Sequence, residues 1–322
     1  MQQHRNRLPQ LSGDLFLTDA GVETDLIFNH GIEIREFAAH TLLPTPHGRA
    51  ALTRYFEGFL DLAKERHAGF VLDSVTWKAH GHWAKSLGAH AAQLRAANED
   101  AIRFIADLRA RYSTNAKPIV LNGVIGPRGD AYRPEATIAM EAAEEYFSEQ
   151  LSWLAATEAD MVTALTFNQA GEAAGLARAA RAVGMPAVIS FTVETHGSLP
   201  TEQTLADAIA QVDEATDNFP AYYMINCAHP DHFTGVLHDA PWARRIRGVR
   251  ANASRKSHAE LDASTALDSG DPKELAGQYR HLAEQMPWLN VFGGCCGSDL
   301  RHVAEIARAL PGTRRRGGPP LV

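Results

Sequence analysis

Cysteine is scarce in this sequence: Cys227, Cys295 and Cys296 are the only three in 322 residues. So few exclude a disulfide framework as the means of folding, and they fit a reducing compartment in which thiols stay free. No stretch approaches the roughly 20 apolar residues of a membrane span, and the opening Met-Gln-Gln-His-Arg-Asn-Arg-Leu-Pro-Gln carries no signal-peptide core. The expectation is a cytoplasmic protein with no membrane partner. Basic residues are not in excess either, since the formal net charge is −7. That leaves no positive stripe for a phosphate backbone and argues against nucleic acid as a partner. The cluster Arg314-Arg315-Arg316 lies among terminal Gly and Pro, a composition that suits a frayed tail. Also missing are a Gly-x-Gly-x-x-Gly turn after the first apolar run, a repeat of 20 to 50 residues and a linker, which together favour a single domain.

What is present is alternation. Short apolar runs rich in β-branched residues predict strands over 15–19, 70–75, 118–124, 161–166, 186–193, 222–227, 246–251 and 289–292. Between them lie longer stretches with helical spacing, among them 49–67, 135–156, 204–216 and 298–310, the last with Ser298 as its N-cap and Asp299 in its first turn. Eight strand–helix units in this length predict an α/β fold of the (β/α)8 TIM-barrel kind, with a doubly wound sheet as the competitor. The expected domain plan is an N-terminal extension over 1–14, a barrel over 15–311 and a flexible tail over 312–322.

Two of the cysteines are adjacent, in Val-Phe-Gly-Gly-Cys-Cys-Gly-Ser-Asp after the eighth strand, and the third closes the sixth strand. Adjacent cysteines form a disulfide only through a strained eight-membered ring, whereas two thiolates on a flexible turn can face one soft cation. In a barrel both positions fall on the rim where catalytic groups gather. Three sulfurs there predict a zinc site formed by Cys227, Cys295 and Cys296, with a fourth position left for a substrate. Taken alone, Cys227 reads as a small buried hydrophobe, and the glycines at 293, 294 and 297 before a helix read as a phosphate turn. Neither alternative uses the paired sulfurs.

These motifs resemble the homocysteine S-methyltransferase family of zinc-dependent thiol methyltransferases, which includes the betaine-homocysteine and S-methylmethionine-homocysteine enzymes. Gly293-Gly294-Cys295-Cys296-Gly297 is similar to the family's paired zinc ligands, Asn226-Cys227 to its first ligand and preceding asparagine, and Asp19-Ala20-Gly21 to its Asp-Gly-Gly turn. Gly123-Val124-Ile125-Gly126-Pro127 resembles its segment after strand three. The resemblance runs from about Leu15 to Leu310. It implies a transferase of methionine biosynthesis that binds Zn2+, with Asp19, Ala20, Gly21, Thr76, Trp77, Thr166, Asn226 and Asn252 around the substrates. Read without the resemblance, Trp77 could be core, and Asn226 or Asn252 a turn cap.

Two departures carry consequences. The family's acid at the end of strand four, which implies a hold on the homocysteine amino group, is replaced by Leu165-Thr166. Leucine pairs with no ammonium, so either Asp73, Glu194 or Asp19 takes over, or the acceptor lacks the amine; on the second view homocysteine is a poor acceptor and Leu165→Glu improves its use. Ala20 in place of glycine speaks against a positive φ at that position.

The expected reaction is one in-line methyl transfer from a sulfonium or quaternary ammonium donor to a zinc-bound thiolate, with no general base. Trp77, Tyr132 or Trp83 would face the donor cation. The partners are then a small-molecule thiol acceptor and a methyl donor. A C-terminal arm like the dimer hook of the betaine enzymes is not seen, nor are cobalamin or folate modules, so the expectation is a monomer or a homodimer. The alternatives are a non-catalytic zinc- and thiol-binding barrel, or a phosphate-binding aldolase or lyase with Lys78 as its Schiff-base lysine.

Overall fold

A computed structural model describes residues 3–112, 117–133 and 136–310. Eight parallel strands close into a barrel in sequence order, each paired with its neighbours and the last with the first. They are β1 Phe16–Leu17, β2 Gly69–Asp73, β3 Ile119–Ile125, β4 Met161–Phe167, β5 Ala187–Phe191, β6 Tyr222–Asn226, β7 Ile246–Ala251 and β8 Val291–Gly294. All eight expected strands form, shifted by a few residues at their ends. The principal helix after each is α1 Pro46–Glu65, α2 Ala91–Arg111, α3 Met140–Ala155, α4 Ala170–Ala182, α5 Leu205–Thr216, the single turn α6 Pro230–Phe233, α7 Pro272–Gln285 and α8 Leu300–Ala309. No helix among the described residues is long and apolar enough to cross a membrane.

Most helix starts follow their cap chemistry. Thr45 accepts from the Gly48 N–H and Pro46 opens α1, so that helix begins three residues before the spacing suggests. Two further starts differ from expectation. Helix α3 begins at Met140, because the Gln169 side chain takes up the Ile138 N–H and the Ala136 carbonyl, two groups a helix would have used. Helix α8 begins at Leu300 with Asp299 as its cap, not Ser298. The Ser298 hydroxyl donates instead to the Cys295 carbonyl, 2.7 Å away, and so holds the cysteine turn.

The larger core lies between the strands and the helices, where Phe56, Phe59, Phe147, Phe167 and Tyr223 are fully buried. A smaller one fills the barrel interior, with Phe16, Val71, Val120, Met161, Val188, Tyr222 and Val291 pointing inward near the strand starts. The N-terminal segment closes that end. Leu8 packs into the inner layer, Gln10 Nε2 donates to Tyr222 Oη at 3.2 Å, and Arg5 donates to the carbonyls of Ala155 and Ala159. With the floor plugged, the opposite rim is left for chemistry. The tail over 312–322, including Arg314-Arg315-Arg316, falls outside the described residues.

Candidate active site

The three sulfurs meet at the C-terminal rim, at the ends of β6 and β8, which flank β7 in the barrel. Cys227 Sγ lies 2.8 Å from Cys295 Sγ and 3.6 Å from Cys296 Sγ, and all three fall within 4.8 Å of one another. The end of β7 is the rail that brings them together: the Cys227 N–H donates to the Arg250 carbonyl at 3.1 Å and the Cys295 N–H to the Ala251 carbonyl at 2.9 Å. Glycine is needed in the approach. A Cβ on Gly293 would run into Thr18 Oγ1, and one on Gly21 would lie 2.6 Å from the Cys295 carbonyl oxygen.

Two backbone positions on this rim sit in the left-handed region that non-glycine residues avoid, Thr166 at φ 66° and Cys227 at φ 56°. Such strain costs about 1–3 kcal/mol per residue and persists only where neighbours hold it. Asn226 holds the first: its Oδ1 accepts from the Thr166 N–H at 3.0 Å and from Ser190 Oγ at 2.6 Å, and its Nδ2 donates to Thr166 Oγ1 at 2.7 Å. The same Nδ2 faces Cys295 Sγ at 3.7 Å. The carbonyl of Cys227 is held by Asn252 Nδ2 at 3.0 Å and His258 Nε2 at 2.8 Å. Asn226 and Asn252 therefore brace the sulfur-bearing backbone and stand behind the cavity wall.

Charge is arranged beneath the sulfurs. Arg250, buried, pairs with Asp73 and, at 2.6 Å, with Asp19, and its Nε donates to the Gly294 carbonyl. Burial pushes Asp19 up to about 7 against the pull of Arg250. Burial works against the Arg250 charge too, but Asp19 and Asp73 outweigh it and hold the guanidinium above its ordinary value. Hydrogen bonds from Cys227 and Cys296, with help from Arg250, hold the Cys295 thiol well below its usual value, and the same sharing pushes the other two thiols up. Tyr132 Oη lies 3.1 Å from Cys227 Sγ, and burial with the sulfur charge holds it as a neutral phenol.

A cavity of about 300 Å³ opens above the sulfurs. Of the residues expected near the substrates, Asp19, Ala20, Gly21, Trp77 and Thr166 line it. Thr76 does not; its hydroxyl donates to the Val124 carbonyl at 2.6 Å and ties β2 to β3. Ala20 has no positive φ, so alanine fits where the family has glycine. Trp77 is fixed by its Nε1 donating to the Leu165 carbonyl at 2.8 Å. The ring faces expected to meet a donor cation are partly occupied: Lys78 Nζ sits 3.8 Å from the centre of the Trp83 ring, and Tyr132 stacks on His258 at 4.0 Å.

The three acids offered as replacements for the strand-four carboxylate are engaged. Asp19 and Asp73 belong to Arg250, and Glu194 lies 3.1 Å from His258 Nδ1. Sequence reasoning missed Glu23, whose carboxyl reaches the cavity from a single helical turn, Val22–Thr24. It also missed Arg250, although two arginines in a strand of a closed barrel, Arg247 and Arg250, were a readable signal. The phosphate reading of the glycine turn fails, because the Asp299 carboxylate already accepts from the first N–H groups of α8 and would repel an anion.

The donor set suits zinc: three cysteine sulfurs, drawn from two segments, supply one ligand fewer than a tetrahedral zinc ion takes. Comparison with known proteins agrees. The family model described as homocysteine S-methyltransferase matches residues 16–310. Among solved structures, the homocysteine methyltransferase MmuM from Escherichia coli superposes in its oxidised form with a TM-score of 0.71 at 18% identity, covering 94% of this chain and 97% of that one. Its metallated form gives a TM-score of 0.67 at 18% identity, covering 92% and 96%.

Proposed function

Because the chain belongs to the homocysteine S-methyltransferase family and is a thiol S-methyltransferase, we propose that it moves a methyl group from a sulfonium or quaternary ammonium donor to the sulfur of homocysteine or a related thiol. The observation that carries this reading is the meeting of Cys227, Cys295 and Cys296 at the floor of a rim cavity. Zinc held by these three cysteines supplies, when bound, the charge that lets an incoming thiol lose its proton and stay nucleophilic at neutral pH.

The protein's own groups do the rest. Arg250 offsets the negative charge that gathers on the sulfurs, and Asn226 and Asn252 fix the backbone that carries Cys227. Trp77 and Leu165 make an apolar wall beside the sulfurs that excludes water from the line of attack. The new sulfur–carbon bond forms as the donor's bond to the same carbon breaks, and the donor leaves as a neutral sulfide or amine. Alignment of the two substrates is the main source of rate, and no general base is assigned. The His258 imidazole is engaged with the Cys227 carbonyl.

The test is a screen of methyl donors against thiol acceptors on zinc-loaded protein, with Trp77→Ala beside it. Transfer by the wild type and its loss in Trp77→Ala at unchanged zinc content support the enzyme. A protein with one zinc per chain that methylates no thiol from sulfonium, betaine-like or folate donors is instead a thiol-binding barrel.

A further inference from the structure

Ser257-His258-Ala259-Glu260 is a capping box: Ser257 Oγ accepts from the Glu260 N–H at 3.3 Å, and the Glu260 carboxylate accepts from the Ser257 N–H at 2.8 Å. It opens a helix of five residues, His258–Asp262, between β7 and α7. The box fixes the first residue of that helix, and His258 is buried there. An imidazole taken out of water needs partners for both nitrogens. His258 finds both. Nε2 lies 2.8 Å from the Cys227 carbonyl oxygen and 3.3 Å from Thr192 Oγ1, and Nδ1 lies 3.1 Å from Glu194 Oε1. A carbonyl only accepts, so Nε2 carries a proton. Glu194, just past the end of β5, sets the direction in which the ring points.

The ring acts on Cys227 from two sides. Its edge meets the carbonyl, and its face lies against Tyr132, with ring centres 4.0 Å apart and planes 13° from parallel. Tyr132 Oη is in turn 3.1 Å from Cys227 Sγ. One imidazole therefore touches the main chain of the cysteine directly and its sulfur through a single intervening ring. Arg133 faces Asp262 at 3.7 Å, which ties the loop after β3 to the same short helix a second time. These contacts hold a conformation that a cysteine avoids, since Cys227 sits at φ 56°. A turn of its peptide would swing Sγ away from Cys295 and Cys296, now 2.8 and 3.6 Å from it. Asn252 and His258 fill the two lone pairs of the carbonyl, and Glu194 stands behind the second of them.

We infer that His258 and Glu194 are positioning residues for the sulfur set: a carboxylate–imidazole pair that grips the carbonyl of one metal ligand and thereby sets how tightly the three sulfurs hold zinc. Partners at this remove from a metal are worth about 10–100-fold in its affinity. The inference rests on the zinc reading of the cysteines, and its test includes a measurement on metal-free protein so that the two fail separately.

The experiment is zinc competition against a chromophoric chelator on the whole chain, with wild type, His258→Leu, His258→Gln and Glu194→Ala. His258→Leu removes the donor and should weaken zinc by about tenfold or more. His258→Gln, which puts an amide N–H where Nε2 stands, should stay within about threefold of wild type. Glu194→Ala, at a partly exposed side chain that tolerates truncation, should weaken zinc by about threefold to tenfold. In the metal-free proteins, alkylation of Cys227, mapped by peptide mass, should run about tenfold faster in His258→Leu than in wild type or His258→Gln, because the loosened peptide opens locally. Zinc affinity unchanged in His258→Leu, or lowered equally in His258→Gln, overturns the inference. If His258→Leu does not fold, Glu194→Ala decides, and wild-type zinc affinity there overturns it. If the wild type takes up no zinc, the alkylation decides: faster labelling in His258→Leu alone upholds the grip on Cys227 and removes the zinc site, and equal labelling overturns both.

Discussion

The barrel carries a buried arginine–aspartate cluster at each end, and the two are built differently. At the closed end, Asp160 is fully buried and its oxygens accept from the N–H groups of Gln3, His4 and Leu121 and from Arg109. One cation meets one buried anion, with the exposed Glu158 a further 3.7 Å neighbour of Arg109, and the other bonds to Asp160 come from backbone. At the open end, Arg250 faces two acids, Asp19 and Asp73, whose other oxygens take single bonds from Tyr55 and Asn122. There the acids outnumber the base, and burial lifts Asp19 to about 7. The first arrangement locks the N-terminal segment onto the barrel. The second leaves a charge imbalance beside a thiolate, which is the condition a functional site exploits.

The largest effect that would break this distinction is at the sulfurs. Cys296→Ser should lose its zinc and about a thousandfold or more of turnover while staying folded; metal analysis that finds one zinc per chain in this variant would remove the site. Next come the arginines. Arg109→Met leaves Asp160 buried beside backbone donors alone and should lower the unfolding free energy by about 3–5 kcal/mol, read by denaturant titration, with turnover per folded molecule kept. Arg250→Met should destabilise too, but it should also raise the pH at which the metal-free protein is alkylated at Cys295, because the guanidinium helps hold that thiol low. An unchanged alkylation profile would make the two clusters equivalent.

A smaller effect belongs to Glu172, on the rim at the start of α4, where burial pushes the carboxyl up to about 7 and its Oε1 accepts from the Arg128 N–H at 2.6 Å. The folded state holds this proton more tightly than the unfolded chain does. Its contribution is therefore full below the ordinary carboxylate value of 4.5 and is lost as pH rises through 7. Glu172→Gln should be the more stable form at pH 8, by no more than about 3 kcal/mol, and the gain should vanish by about pH 4.5. Equal stability at pH 8 would show that this acid is not held protonated. The smallest effect is Leu165→Glu, which adds an acid at strand four to a cavity that Glu23 already lines. It should tighten homocysteine by no more than about threefold; a gain of tenfold or more would mean that the wild-type cavity has no working ammonium anchor.

Much of the fold was legible because it is written locally. Buried parallel strands read as continuous apolar runs, and Thr204 marks a helix start by a hydrogen bond within a single turn. The cysteine pair was legible for the same reason, since Gly293 to Gly297 is one contiguous turn. Glu23 was not. Its neighbours Val22 and Thr24 give no pattern, and what sets it apart is its place in a cavity lined by other segments. Asp19, Asp73 and Glu194 were plausible ammonium anchors until Arg250 and His258 were found beside them.

The amino-acid order by itself determined the eight strand–helix units, the three cysteines as candidate ligands and the leucine where the resemblance implies an acid. These follow from hydrophobic spacing, cap chemistry and side-chain type, all of which act within a few residues. Only the closed barrel decided which charges neutralise one another. Arg250 meets Asp73 and Asp19 across 177 and 231 positions of chain, and that pairing takes both acids away from any ligand. Electrostatic partnership depends on distance in space, and distances of this kind exist only after β1, β2 and β7 have been brought onto one rim.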